Sequence, residues 1–224
     1  MAILTGVWLE ELTWPEAKAR FEGDAVVVIP IGAASKAHGA HLPLKTDALT
    51  ARALGQKLIE RLPVVAAPVV GFGYYPAFTG FAGSQHLTAD TFKAVLRELI
   101  QSFTAHGVKR IALVNTGVST EKPIDEIAAE TGALALHMRL TGQAAEPLIE
   151  HKDGGHADER ETSVVLALDP RSVRMAELKP AADFNLSAAT GDPTRASAFK
   201  GERLLAARID DMVKAIVAKW PDLR

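Results

Sequence analysis

The chain has 224 residues, enough for one domain with a substantial buried core. Apolar residues make up 48% and charged residues 23%, and the formal charge of −2 gives no electrostatic reason to expect nucleic acid or an anionic membrane as partner. There are no cysteines, which excludes disulfides and thiolate metal sites and fits a reducing cytoplasm.

The first residues, 1–8, lack a basic segment and meet acidic residues soon after, so no signal peptide is expected. No apolar run approaches the roughly 20 residues that span a bilayer. Thr13-Trp14-Pro15-Glu16 reads as a helix start, with proline tolerated in the first turn. Residues 25–31 form a β-branched run without polar alternation, the pattern of a strand buried on both faces. A polar loop follows to about Lys45, and a helix begins near Thr46 or Asp47 with Leu49, Leu54, Leu58 and Leu62 on one face. A second strand is expected over 64–70.

Residues 71–84, rich in glycine and aromatics, read as a long ordered loop. Residues 88–106 give the clearest helix, stopped by Gly107. Strands over 111–114 and 133–138 flank a helix over 123–131, and a short helix over 159–168 halts before Pro170. Residues 179–200 are expected as an exposed loop and 202–220 as an amphipathic closing helix. Strands alternating with helices imply a single α/β domain of three α/β/α layers around a mostly parallel sheet. In such folds ligands bind beyond the carboxyl ends of strands, where the loop after Ile31 sits.

That loop holds the first polar constellation. His38 and His41 lie three apart ahead of Asp47, so two imidazoles and a carboxylate could surround a cation. Alternatively, His41 hydrogen-bonds within the loop and Asp47 caps the helix.

Here the sequence resembles the creatininase family. The resemblance rests on Ile29-Pro30-Ile31-Gly32, on His38-Gly39-Ala40-His41-Leu42-Pro43-Leu44, and on Thr46-Asp47. It continues through Gly80-Phe81-Ala82-Gly83-Ser84, the segment His156-Ala157-Asp158-Glu159-Arg160-Glu161-Thr162-Ser163, and Gly191-Asp192-Pro193 with Lys200-Gly201. It implies a three-layer domain, commonly assembled as a homo-oligomer (a hexamer), that hydrolyses C–N bonds with a pair of divalent metals. The reactions of such proteins include opening of the creatinine ring, deformylation and peptide trimming. Carried over, His38 and Asp47 match two of the five usual metal ligands, with Asp47 as the bridging one.

The other three ligand positions depart from the family pattern. Lys36 stands where a glutamate is usual, Gly117 where a histidine is usual, and Ser119 where creatininase itself has a glutamate. An ammonium about 4 Å from a dication, at an effective dielectric near 20, opposes binding by roughly 8 kcal/mol. A dinuclear centre is therefore not expected. The remaining cofactor is one divalent ion (Zn, Mn or Fe) held by His38, Asp47 and Glu159. Without an ion, Lys36 would pair with Asp47 in its place. Beside a cation Lys36 could also serve as a neutral base, or it could point to solvent.

The second constellation, residues 153–163, packs one imidazole and four carboxylates into eleven positions. On residue types alone, acidic side chains at a helix start are often caps. By resemblance, His156 is the catalytic histidine that carries a proton to the leaving nitrogen, and Glu161 orients it. The aromatics of 72–81 are expected in the core or an interface rather than at a pocket mouth, and His106, His137 and His151 at the surface or at helix ends. No nucleophile elbow surrounds Ser35 or Ser119, and Gly71-Phe72-Gly73 lacks the rest of a dinucleotide fingerprint.

Three functions are consistent with this pattern. The first is hydrolysis of a small, or cyclic, amide by activated water with His156 as proton donor and acceptor. The second is a non-hydrolytic relative that binds a small metabolite in the same pocket without metal. The third is a structural subunit beside an active relative.

Overall fold

The computed structural model describes residues 5–223. Residues 1–4, half of the segment read as lacking a signal sequence, lie outside the described residues.

A strand, β1 (Val7–Trp8), precedes helix α1 (Trp14–Glu22), which Thr13 and Glu16 close with a reciprocal capping box. Strand β2 (Val26–Ile31) leads through the polar loop to α2 (Thr46–Arg61), and β3 (Val65–Ala66) through the aromatic loop to α3 (Ala89–Ala105). Then follow β4 (Arg110–Asn115), α4 (Glu121–Thr131), β5 (Leu134–His137), α5 (Glu159–Leu168), the single turn α6 (Phe184–Ser187) and α7 (Ala198–Lys219).

The strands form one parallel sheet in the order β1-β3-β2-β4-β5. All six residues of β2 are buried, as its unbroken apolar run requires. Alternate side chains feed two cores. Val27, Ile29 and Ile31 meet Phe92, Leu96, Ile124 and Ile127 on one face. Val26 and Val28 meet Leu54, Leu58, Leu204 and Met212 on the other. This is the expected three-layer α/β/α architecture. Proline is unusual in a central strand because it cannot donate to the ladder. Pro30 is tolerated since its carbonyl faces Val70 N–H (2.9 Å), so its missing donor falls beyond the short β3 ladder.

Several expected boundaries move. β1 is too short to leave a periodic signal, and the strand expected over 64–70 is reduced to Val65–Ala66 with one further bridge between Ile31 and Val70. Residues 179–200 are not simply an exposed loop. They hold α6, bury Ala188 and Ala189, and bridge Thr190 to His156 and Gly191 to Ala181. Among the described residues no helix is long and apolar enough to cross a membrane.

The chain leaves β2 toward β3 and leaves β4 toward β5, so the connections diverge between β2 and β4. A crevice opens at such a switch point. The loop after β2 and the turn after β4 both lie there.

The closing Lys200-Gly201 pair has a packing role. α7 crosses α5 so closely that a Cβ at Gly201 would lie 1.9 Å from the Ser163 carbonyl oxygen. Gly201→Ala should therefore lower stability by about 2–3 kcal/mol, as overpacking of a tight contact does. Urea unfolding checks this, and an unchanged midpoint would mean the helices separate freely.

Candidate active site

Two hydrogen bonds, Lys36 N–H to the Leu44 carbonyl (3.0 Å) and Gly39 N–H to the Ala188 carbonyl (2.8 Å), close the loop after β2. The closure turns three polar side chains inward. Lys36, His38 and Asp47, the last in the first turn of α2, are all buried. Lys36 Nζ lies 2.6 Å from Asp47 Oδ2, which has no other partner. His38 Nε2 is 3.0 Å from Asp47 Oδ1, and His38 Nδ1 faces the Lys36 carbonyl oxygen at 2.8 Å. Phe78 and Tyr75 cover the ammonium, their ring centroids 4.9 and 5.4 Å from Nζ.

Burial by itself would raise the Asp47 carboxyl. The charges of Lys36 and His38, with their hydrogen bonds, outweigh it and hold Asp47 well below the usual carboxylate range. Burial also pushes the Tyr75 phenol up. Of the alternatives open for Lys36, the structure realises the pair with Asp47. It does not realise the solvent-exposed lysine, because the side chain is buried under two aromatic rings and reaches a carboxylate.

The second constellation reaches the same place. His156 lies against His38, ring centroids 4.5 Å apart, and against Phe78 at 4.7 Å. Its Nε2 donates to the Ala37 carbonyl (2.8 Å), which leaves the Nδ1 lone pair facing Glu161 Oε2 at 3.6 Å. Glu161 Oε2 accepts from Ala157 N–H (2.5 Å). Burial and the nearby charges of His38 and Lys36 push the His156 imidazolium down to about 2, so the ring is neutral at physiological pH. Burial raises the Glu161 carboxyl, which makes it the more ready proton carrier of the two.

Glu159, expected as a metal ligand, does not join this group. Its buried carboxylate accepts from Lys200 Nζ (2.6 Å) and from the backbone N–H groups of His151 (2.7 Å) and Glu150. Helical spacing explains the change: Glu161 is two positions after Glu159, so they face nearly opposite ways around α5. His41 also stays out. It bonds Thr162 Oγ1 (2.9 Å), tying the loop to α5, and burial lowers it to about 4.

After β4, Asn115 bonds Gly117, Thr120 and His137, and His137 in turn meets Asp125 (2.9 Å). His137 is thus a buried brace of this turn and not a surface residue. His106 is the C-cap of α3, and His151 lies 3.4 Å from Asp192. Tyr75 and Phe78, expected as ordinary core, are core that touches the site.

A cavity of about 570 Å³ opens beside His156 and Glu161, lined also by Thr116, Val118, Met138 and Arg208. Arg208 escaped the sequence reading. Its only signal is position: it lies four residues from both Leu204 and Met212, on the buried face of α7.

A three-layer parallel α/β protein with histidine, lysine and carboxylates at its switch point is thereby defined. The chain belongs to the creatininase family, whose profile (creatinine amidohydrolase) matches residues 10–216. A mycofactocin precursor peptide peptidase of Mycobacterium tuberculosis is 31% identical over 223 residues, covering 87% of this chain and 85% of that one. The creatinine amidohydrolase of Pseudomonas putida is 30% identical over 115 residues, 49% of this chain and 44% of that one. A solved creatinine amidohydrolase is 25% identical with a TM-score of 0.83, covering 96% of this chain and 98% of that one.

Solved creatininases include a manganese form and a Zn–Zn form of a variant. In this chain His38, His156 and Glu161 could hold a metal ion: their ligand atoms lie within 4.8 Å of one another. Two imidazoles and a carboxylate suit one such ion, although bonds near 2.1 Å would require the three to draw together. A second ion does not fit. The Lys36 ammonium already stands at Asp47 Oδ2, the oxygen a bridging carboxylate would need for it.

Two outcomes follow. Lys36→Met leaves Asp47 buried with His38 alone and should lower stability by roughly 3 kcal/mol, measured by chemical unfolding. Acidification should destabilise the protein. Below its ordinary value of 6.5 the unfolded His156 takes up a proton, whereas the folded one stays neutral down to about 2. The unfolded state then binds more protons, and at pH 5 the loss is roughly 2 kcal/mol. His156→Gln should flatten the fall between pH 7.5 and 5, and an equal fall in both proteins would contradict it.

Proposed function

We propose that the chain hydrolyses the C–N bond of an amide in the cavity beside His156 and Glu161. The observation that supports this most is the convergence of residues 36, 38, 47, 156 and 161, from two distant segments, on one crevice. Glu161, its carboxyl raised by burial, is placed to pass a proton to the leaving nitrogen. The tautomer of His156 is set by the Ala37 carbonyl, so its Nδ1 lone pair faces Glu161 beside the cavity. Asp47, kept ionised beside Lys36, fixes the ammonium of Lys36 and the imidazole of His38 in place.

One divalent ion would be held by His38, His156 and Glu161, and when bound it would polarise the carbonyl and acidify water. His156 Nδ1 either ligates that ion or takes the proton of the attacking water, and elemental analysis of the purified protein separates the two. The relatives' names cover a cyclic amide and a peptide, and the cavity has room for either.

The Lys36–Asp47 pair, filling part of the family's metal locus, favours one competing reading: a pocket that binds a metabolite without hydrolysis. Purified protein tested on lactams, formamides, ureido compounds and short peptides decides between them. Turnover that falls at least 100-fold in both His156→Ala and Glu161→Gln, with melting behaviour preserved, supports the hydrolase. Binding without turnover, and with no metal present, supports the binder.

A further inference from the structure

Besides His156 and Glu161, the cavity wall carries four cations, Arg139, Lys152, Arg160 and Arg208, and two of them are already matched. Arg139 meets both oxygens of Glu121 (3.0 and 2.6 Å). Arg160 is held by Glu146 (2.7 Å) and Asp158 (3.1 Å). Arg208 has no such partner. It is only 5% exposed, yet among the described residues no carboxylate lies within 4.0 Å of it, and its Nε and Nη1 bond nothing. Lys152, exposed at the mouth, also pairs with no carboxylate among the described residues.

A guanidinium sealed in this way is costly unless something completes it, because a buried charge without a hydrogen-bonded counter-charge loses its solvation with nothing in exchange. The surrounding backbone is shaped to keep it. Gly142, at φ +81°, leaves room that a Cβ would fill 2.7 Å from Arg208 Cγ. Gly142 N–H is also tied to Asp211 Oδ2 (2.9 Å), less than one turn further along α7. The loop that ends β5 is thus pinned over the arginine stem, and the head forms part of the cavity wall. Guanidinium is planar, stays charged, and matches a carboxylate in shape and charge.

We propose that Arg208 is the anion-binding residue of this cavity, and that the amide hydrolysed there carries a free carboxylate, held by Arg208 with Lys152 at the entrance. The substrate class is then an N-acylated amino acid or the carboxyl end of a short peptide, not a neutral lactam. The substrate statement rests on the hydrolytic reading of the cavity, whereas the anion site can be measured without turnover.

The test is calorimetric or NMR titration of the full-length protein with N-acetylglycine and, separately, with its neutral analogue N-acetylglycinamide. The acid should bind at least tenfold more tightly than the amide. Arg208→Gln should abolish that preference, Arg208→Lys should retain part of it, and Lys152→Gln should weaken acid binding two- to threefold. Equal binding of acid and amide by the wild-type protein would overturn the proposal. So would undiminished acid binding in a folded Arg208→Gln variant. Should that variant fail to fold, the wild-type preference together with the Arg208→Lys titration decides. Selective acid binding by a protein that hydrolyses no amide would sink the hydrolytic reading and leave the anion site standing.

Discussion

The buried ion pair between Lys36 and Asp47 is the constraint on which the rest of the site depends. An ammonium and a carboxylate removed from water are tolerated only when each is held closely and their remaining capacity is filled. Asp47 meets Lys36 through one oxygen and His38 through the other, and two aromatic rings cover the ammonium. These contacts fix the loop after β2 against the first turn of α2. The same charges act outward on His156. Together with burial they keep its imidazole neutral, so its environment is set by residues more than a hundred positions away.

That pair also changes what the site can hold. In relatives crystallised with manganese or zinc the fold is the same, with TM-scores of 0.82. Here an amine on a flexible stem stands beside the carboxylate that the family resemblance makes a metal bridge. A lysine brings charge and hydrogen bonds but no empty orbital for a carbonyl oxygen or a water. On the hydrolytic reading proposed above, the Lewis-acid part of the chemistry would fall to one ion at His38, His156 and Glu161, whose ligand atoms lie within 4.8 Å of one another. The cavity wall carries both the His156–Glu161 pair and the unmatched Arg208.

Much of this was legible in the residues. The unbroken run of β2, the amphipathic α3 and the capped start of α1 follow from local periodicity and capping, which depend on neighbours in the chain. The segments around residues 36–47 and 156–161 stood out by composition. Glu159 shows where that reading failed. Counting carboxylates along a segment cannot say which one turns inward, because one step around α5 sends Glu159 to Lys200 and another sends Glu161 to His156.

The sequence by itself determined the alternation of strands and helices, the absence of thiol chemistry and the presence of Lys36, Gly117 and Ser119 where the family resemblance implies metal ligands. These are properties of residue type and spacing, and no packing can alter them. Tertiary structure alone decided that Lys36 is buried against Asp47, that His156 is neutral, that residues 179–200 fold over the site, and that Arg208 faces the cavity without a partner. Each of these depends on solvent exclusion and on charges brought together across long stretches of chain. Those are through-space quantities, fixed only when the layers close.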